Sequence, residues 1–141
     1  TDENGKEIIR FEKSKALPTQ SCYAVMNANH EKIGKIQRMN NNFAPYSMVN
    51  LPRIVISLND DEMIVRKDIR ELQEIYEVIG NDFSIVGNWK GPHFDIFKNE
   101  KVVASVEVQQ EEIGKTYLAD IIDQSNEEQI IGILFAVSWI I

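Results

Sequence analysis

The chain has 141 residues, of which 43% are hydrophobic and 26% are charged. This length suits one domain, and the composition is that of a soluble globular protein, not of a disordered or fibrous chain. The 22 acidic and 15 basic side chains give a net charge of −7, which disfavours binding to nucleic acid because the phosphate backbone repels such a chain. The single cysteine, Cys22, excludes an internal disulfide and suits a reducing compartment, so we expect a cytoplasmic location.

One unit recurs along the chain: a short apolar run, a polar turn rich in Asn, Asp and Gly, and a second apolar run. Such turns tolerate left-handed backbone and are typical of β-hairpins. The units cover residues 22–36, 53–67, 75–89 and 94–108, and residues 116–123 form one more predicted strand. We therefore expect a single antiparallel β domain over residues 1–141, either a sandwich or a barrel.

Alternation of apolar and polar residues assigns faces to two of these strands. Phe83, Ile85 and Trp89 are predicted to share one face of their strand. In the strand around 102–108, one face is predicted to hold Val102, Ala104, Val106 and Val108, and the other Val103, Ser105 and Glu107.

Residues 68–77 fit two structures. Their apolar positions follow helical spacing, and the charged residues between them suit the solvated face of a helix. The segment 75–79 fits equally well the start of the next strand.

The segment "EEQIIGILFAVSWII", residues 127–141, interrupts the alternating pattern. Ser125 followed by Glu128 has the spacing of a helix-capping box, and the residues beyond are apolar around the whole helix circumference. A helix over 126–141 would be about 24 Å long, at ~1.5 Å per residue. A bilayer crossing needs about 20 apolar residues. We therefore predict a core helix buried on every side and no transmembrane segment; the alternative is a truncated membrane anchor.

The ordered motifs of the second half resemble the LURP-one-related family, in the tubby C-terminal-like group that also holds the phospholipid scramblases. The resemblance covers about residues 22–141. It depends on "IYEVIGNDFSIVGNWKGPHFDIFKNEKVVASVEVQ", on "TYLADI", and on the acidic residues just before the apolar run "IIGILFAVSWII". It implies a closed antiparallel β-barrel of about twelve strands with the C-terminal helix through its centre, although only ten or eleven strands can be counted.

The resemblance also implies a binding module and not an enzyme. Tubby domains bind phosphoinositide headgroups through a basic pocket, and Arg and Lys grip phosphate oxygens by charge-assisted bonds. The expected partner is a phospholipid or a protein, and the expected location is peripheral to the membrane. The alternative for the basic residues is a set of solvated strand faces of mixed charge. The candidate headgroup residues are Lys32, Lys35, Arg38, Arg66, Lys67 and Arg70.

Other chemistry has less support in the sequence. No Gly-x-Ser-x-Gly motif and no Gly-rich phosphate loop is present, so we predict no catalytic residue and no cofactor. Asp120 and Asp123 lie where scramblases carry a proposed calcium segment, but the aspartate-rich pattern is only partly kept. Two further functions stay open: a lipid-handling barrel that binds or moves acyl chains, and a hydrolytic enzyme for which no nucleophile and base can be named.

Overall fold

The computed structural model describes residues 9–14, 21–40, 52–70, 73–112 and 114–140. This part of the chain holds ten β-strands followed by one α-helix. The strands are β1 (Ile9–Ser14), β2 (Ser21–Asn27), β3 (Lys32–Asn40), β4 (Pro52–Leu58), β5 (Asp61–Arg70), β6 (Gln73–Ile79), β7 (Phe83–Gly87), β8 (His93–Lys98), β9 (Lys101–Glu111) and β10 (Gly114–Ile121). A 3₁₀ turn (Gln124–Asn126) leads into the helix α1 (Glu127–Ile140).

The strands form two antiparallel sheets. The first has six strands in the order β1-β2-β3-β4-β5-β6, and the second has four in the order β10-β9-β8-β7. The predominantly β fold is therefore confirmed. The predicted closed barrel of about twelve strands is wrong for the described residues, which contain two sheets and ten strands.

The chain passes from the first sheet to the second between β6 and β7, two strands that the sequence predicts to pair as a hairpin. The turn itself is present: Asn81 and Asp82 both have positive φ, and Phe83 N donates to Gly80 O at 3.3 Å. Beyond this turn, β6 pairs with β5 and β7 pairs with β8. The turn sequence fixes a local chain reversal, but it does not determine which sheet each strand joins.

The described residues of the 68–77 segment, which are 68–70 and 73–77, are strands and not helix. β5 continues to Arg70 and β6 begins at Gln73, with Ile69 opposite Glu74 in an antiparallel ladder. The helix suggested by the apolar spacing is therefore wrong, because cross-strand pairing satisfies the backbone here.

The predicted sharing of strand faces is largely confirmed. Phe83 and Trp89 are buried, and Ala104 is fully buried. Val103 is also buried, although strict alternation places it on the opposite face from Ala104. Ile96 lies opposite Ala104 whereas Phe97 lies opposite Val102, which makes Val103 the extra residue of a β-bulge that turns it inward.

The helix packs its core face mainly against β4 and β5. Ile130, Ile133 and Val137 are completely inaccessible to solvent, which confirms the predicted core helix. Gly132 lies beside Leu58, and a Cβ at this position would stand 3.0 Å from Leu58 Cδ1. The absence of a side chain therefore lets the helix approach β4 closely.

The other side of the helix is less buried than predicted. Ser138 is exposed, and the rings of Phe135 and Trp139 are half-buried. Phe135 stacks on Phe11 of β1 with 4.1 Å between ring centroids, and Trp139 meets Tyr23 of β2 edge-on at 5.1 Å. The prediction that the helix is buried on every side is therefore wrong, because one face is fully buried and the other is partly exposed to solvent.

The helix begins differently from the predicted capping box. Asp123 caps the 3₁₀ turn that leads into the helix: its Oδ1 accepts from Ser125 N at 3.1 Å and from Ser125 Oγ at 2.6 Å. The helical turn thus starts two residues earlier, in 3₁₀ form. In the described part of the chain, no helix has the length and apolar character needed to cross a bilayer.

Candidate functional site

Acidic side chains gather at one end of the two sheets. Successive strands run in opposite directions, so the turns after β2, β4, β6 and β8 lie at this end. Asn99 N donates to Asp82 O at 3.2 Å between two of these turns. The start of the helix lies here too. We call this the acidic end; its described carboxylates are Glu31, Asp60, Asp61, Glu62, Asp82, Glu100, Asp123, Glu127 and Glu128, together with Lys32, Lys98 and Lys101.

Polar contacts at the acidic end tie the helix to both sheets. Asn59, in the β4–β5 turn, donates from Nδ2 to Glu128 Oε2 at 2.6 Å. Lys98, at the end of β8, donates from Nζ to Asn126 Oδ1 at 3.0 Å. Hydrogen bonds from Ser125, and then weaker contributions from Asn126 and Lys98, lower the pKa of Asp123 below its ordinary value. Two of the acids at this end, Asp123 and Glu128, therefore have structural partners in the helix and turns.

The two aspartates with a possible calcium role lie in this region. Asp120 is exposed on β10, opposite Ser105. Asp123 accepts hydrogen bonds from Ser125 and from Asn126 Nδ2. Within the described ranges, no three or more His, Cys, Asp or Glu side chains form a group that could hold a metal ion.

The opposite end of the first sheet is basic. Arg53 of β4 lies directly opposite Arg66 of β5, and Arg38 of β3 lies opposite Ile54, the residue after Arg53. Lys67 follows Arg66. The four side chains therefore originate within two residues of one another along the strands, about 7 Å at ~3.3 Å per residue. We call Arg38, Arg53, Arg66 and Lys67 the basic rim.

The basic rim spans both faces of the sheet. Arg53 and Arg66 share the solvent face, because their neighbours Ile54 and Val65 are fully buried on the other. Lys67 lies on the core face, half-buried at the end of the sheet, with Nζ 5.8 Å from the ring centroid of Tyr76. This distance is that of a cation–π contact.

One described carboxylate lies among these cations. Glu77 of β6 is directly opposite Arg66, and its Oε2 accepts from both Nε and Nη2 of that guanidinium at 2.9 Å. The ion pair is partly shielded, with side-chain exposures of 31% for Arg66 and 23% for Glu77. Glu77 therefore neutralises part of the rim.

A groove separates the two sheets beside the basic rim. It has a volume of about 440 Å³, and its walls include Arg66, Glu77, Tyr76 and Trp89. The Tyr76 and Trp89 rings in these walls lie 5.4 Å apart. Cationic and aromatic side chains thus share one concave surface where the sheets diverge.

The structure brings together three of the six sequence-predicted headgroup residues: Arg38, Arg66 and Lys67. Lys32 lies at the acidic end, and Lys35, opposite Ser57, lies about midway along its strand. Arg70 is the last residue of β5, but its side chain lies outside the described part of the structure.

Sequence reasoning missed Arg53. The signal was present, since a two-residue turn at Asn59-Asp60 pairs Leu58 with Asp61 and, counting back, Arg53 with Arg66. Grouping cations by distance along the chain concealed a pair that is adjacent across strands.

A second polar cluster lies on β8 and β9. His93 Nε2 is 3.0 Å from Asp95 Oδ1 and 3.5 Å from Ser105 Oγ, while Ser105 Oγ donates to the same Asp95 oxygen at 2.9 Å. In a catalytic triad, serine donates to one imidazole nitrogen and the acid accepts from the other. Here one nitrogen faces both groups and Ser105 donates to the aspartate, so the arrangement is not that of a catalytic triad.

The comparisons with known proteins identify the family of this chain. The searches of curated proteins and of solved structures give no match. The family model described as LURP-one-related matches residues 1–138, almost the whole chain. The chain therefore belongs to the LURP-one-related family.

Proposed function

We propose that this protein is a non-enzymatic binding module that attaches to anionic phospholipid headgroups through the basic rim. The observation that carries this proposal is a cluster of cations at one end of the first sheet, in a protein whose net charge is −7. The cluster consists of Arg38, Arg53, Arg66 and Lys67. Many of its carboxylates lie at the far end, so an anionic surface attracts one end and repels the other.

The expected strength is modest. A Lys or Arg side chain near an anionic membrane surface contributes about 1 kcal/mol. Four such residues give at most about 4 kcal/mol, equivalent to a Kd of about 1 mM, and the pairing of Glu77 with Arg66 reduces this value. Charge attraction alone thus gives weak, reversible attachment, and tighter binding requires direct bonds from the guanidinium groups to phosphate.

The test is co-sedimentation with phosphatidylcholine vesicles, with and without 20 mol% anionic lipid, at low salt. We expect binding only to the anionic vesicles, with a loss as salt rises towards 0.5 M because the charges are screened. Arg53→Ala should weaken binding about fivefold, the equivalent of about 1 kcal/mol.

Lys101→Ala supplies the matched control. Lys101 is also an exposed cation on a strand, but it lies at the acidic end. Its removal should leave vesicle binding unchanged. Equal losses for both variants would mean that overall charge, not the rim, drives attachment. Absence of binding to every vesicle would overturn the membrane proposal and favour a protein partner.

The lipid-handling alternative has less support. A barrel that stores an acyl chain needs space beside its helix, yet Ile130, Ile133 and Val137 are completely buried against the strands. Native mass spectrometry tests this alternative directly: a protein mass with bound lipid after purification would favour it over the surface module.

A further inference from the structure

We propose that Arg53 and Arg66 form a clamp for a phosphomonoester dianion, and that Glu77 is the internal anion that the ligand displaces. This inference rests on the proposed function, because it assigns the ligand chemistry of the same basic rim. It goes beyond general attraction to an anionic surface, since it predicts discrimination between two kinds of phosphate.

The clamp follows from the position of the two arginines. Residues directly opposite one another on antiparallel strands have Cβ atoms about 4.5–5.5 Å apart, so both guanidinium groups can reach the same phosphate. Like charges directly opposite one another repel, and an anion between Arg53 and Arg66 relieves that repulsion. Guanidinium groups also match phosphate geometry through paired N–H donors.

Of the two arginines in this clamp, Glu77 binds Arg66. Its Oε2 accepts from Nε and Nη2 of Arg66, both at 2.9 Å. Arg53 is exposed, and no described carboxylate pairs with it. The row of Arg53, Arg66 and Glu77 therefore carries two positive charges and one negative charge.

The charge of the phosphate group determines how well a ligand competes with Glu77. A phosphomonoester carries about −1.5 to −2 at pH 7, whereas a phosphodiester carries a single negative charge. A dianion attracts both guanidinium groups strongly enough to compete with Glu77 for Arg66, whereas a monoanion neutralises the row by pairing with Arg53 alone and leaves Glu77 in place. The site thus favours a terminal phosphate over a bridging one.

The experiment compares two vesicle types at matched surface charge. One contains phosphatidic acid, whose headgroup is a phosphomonoester, and the other contains phosphatidylglycerol, a phosphodiester. We expect the wild-type protein to bind phosphatidic acid at least fivefold more tightly. Glu77→Gln should raise affinity for both vesicles and reduce the preference, because the competing charge is gone while the side-chain shape is kept.

Three results with vesicles would overturn the clamp. Equal binding to both lipids at matched charge would remove the discrimination, while leaving the wider proposal of an anionic-surface module intact. Unchanged or weaker binding by Glu77→Gln, with an unchanged melting temperature, would show that Glu77 does not compete. If the protein binds neither vesicle type, the clamp and the proposed function fail together.

A competition experiment with a soluble phosphomonoester identifies whether the ligand is a lipid or a soluble molecule. Millimolar glycerol 3-phosphate should displace the protein from phosphatidic acid vesicles, whereas sodium chloride at equal ionic strength should displace it less. Failure of glycerol 3-phosphate to compete would count against the clamp. Tighter binding to vesicles than to glycerol 3-phosphate supports a lipid ligand, and the reverse order supports a clamp for a soluble phosphorylated metabolite.

Discussion

Asp123 is a single side chain that fixes where the last strand ends and the helix begins. It accepts from the backbone and the hydroxyl of Ser125 and from the amide of Asn126. All three bonds favour the ionised carboxylate, which is why its pKa lies below the ordinary value of 3.8. The junction is therefore sensitive to acid.

We predict that Asp123→Asn flattens the acid limb of the stability profile. A folded-state pKa below the unfolded value stabilises the protein above about pH 3.8, and this contribution is lost as the pH falls through the lower folded value. Thermal melts between pH 6 and pH 2.5 should show a smaller decline for the variant. Asp120→Asn, on the preceding strand, is the control and should keep the wild-type slope.

Gly34 shows a second constraint set by one residue. It lies beside a register shift between β2 and β3, and a Cβ at this position would overlap the backbone oxygen of Ser57 on β4. Only a residue without a side chain allows this close approach.

Gly34→Ala should accordingly lower the free energy of unfolding by about 1–3 kcal/mol, the cost of overpacking. Urea titration followed by circular dichroism measures this loss. Lys35→Ala, at the exposed neighbouring position, should change stability by less than about 0.5 kcal/mol. A fully stable Gly34→Ala protein would mean that β3 and β4 separate without penalty.

At the scale of elements, the contact between the helix and the β4–β5 hairpin is the central packing interface. Ile133 is completely buried there, and Gly132 allows the helix backbone to lie near Leu58 and Ile56. Tight apolar packing of this kind is sensitive to the removal of even a few methyl groups.

Ile133→Ala should destabilise the fold by about 2–5 kcal/mol, from lost burial and the cavity that remains. Ile122→Ala makes the same chemical change at a side chain that is 60% exposed, and it should cost less than about 0.5 kcal/mol. Chemical denaturation of both variants checks the difference. Similar losses at the two positions would contradict the assigned packing.

For the whole molecule, the helix completes the core formed by the strands. Its inner face covers β4 and β5, and Phe135 and Trp139 reach the rings of Phe11 and Tyr23 on β1 and β2. The strands alone would expose these apolar faces to water.

A chain that stops after Gln129 should therefore lose cooperative unfolding and bind a hydrophobic dye such as ANS. Differential scanning calorimetry and dye fluorescence are the measurements. Ser138→Lys, which changes an exposed helix position, should melt as the wild type does. A truncated chain that still melts in one sharp transition would show that the sheets hold together without the helix.

Much of this arrangement could be predicted from sequence, because it depends on local patterns. Apolar alternation located the strands, and the length of the run after Glu128 indicated a core helix and not a membrane span. The division into two sheets could not be predicted, since the turn at Asn81-Asp82 is the same whether its flanking strands pair or diverge. The Arg53–Arg66 pair of the candidate site required the register across the strands, which spacing along the chain does not show.

The order of elements along the chain has a consequence for biosynthesis. The β4–β5 hairpin is complete at Arg70, whereas the helix that covers it ends at Ile140, about 70 residues later. At ~5–20 residues per second, a ribosome needs about 4–14 s to make that interval. The apolar face of the nascent hairpin therefore stays exposed for seconds before the helix is synthesised. Chaperones that recognise extended hydrophobic segments have time to bind in this period.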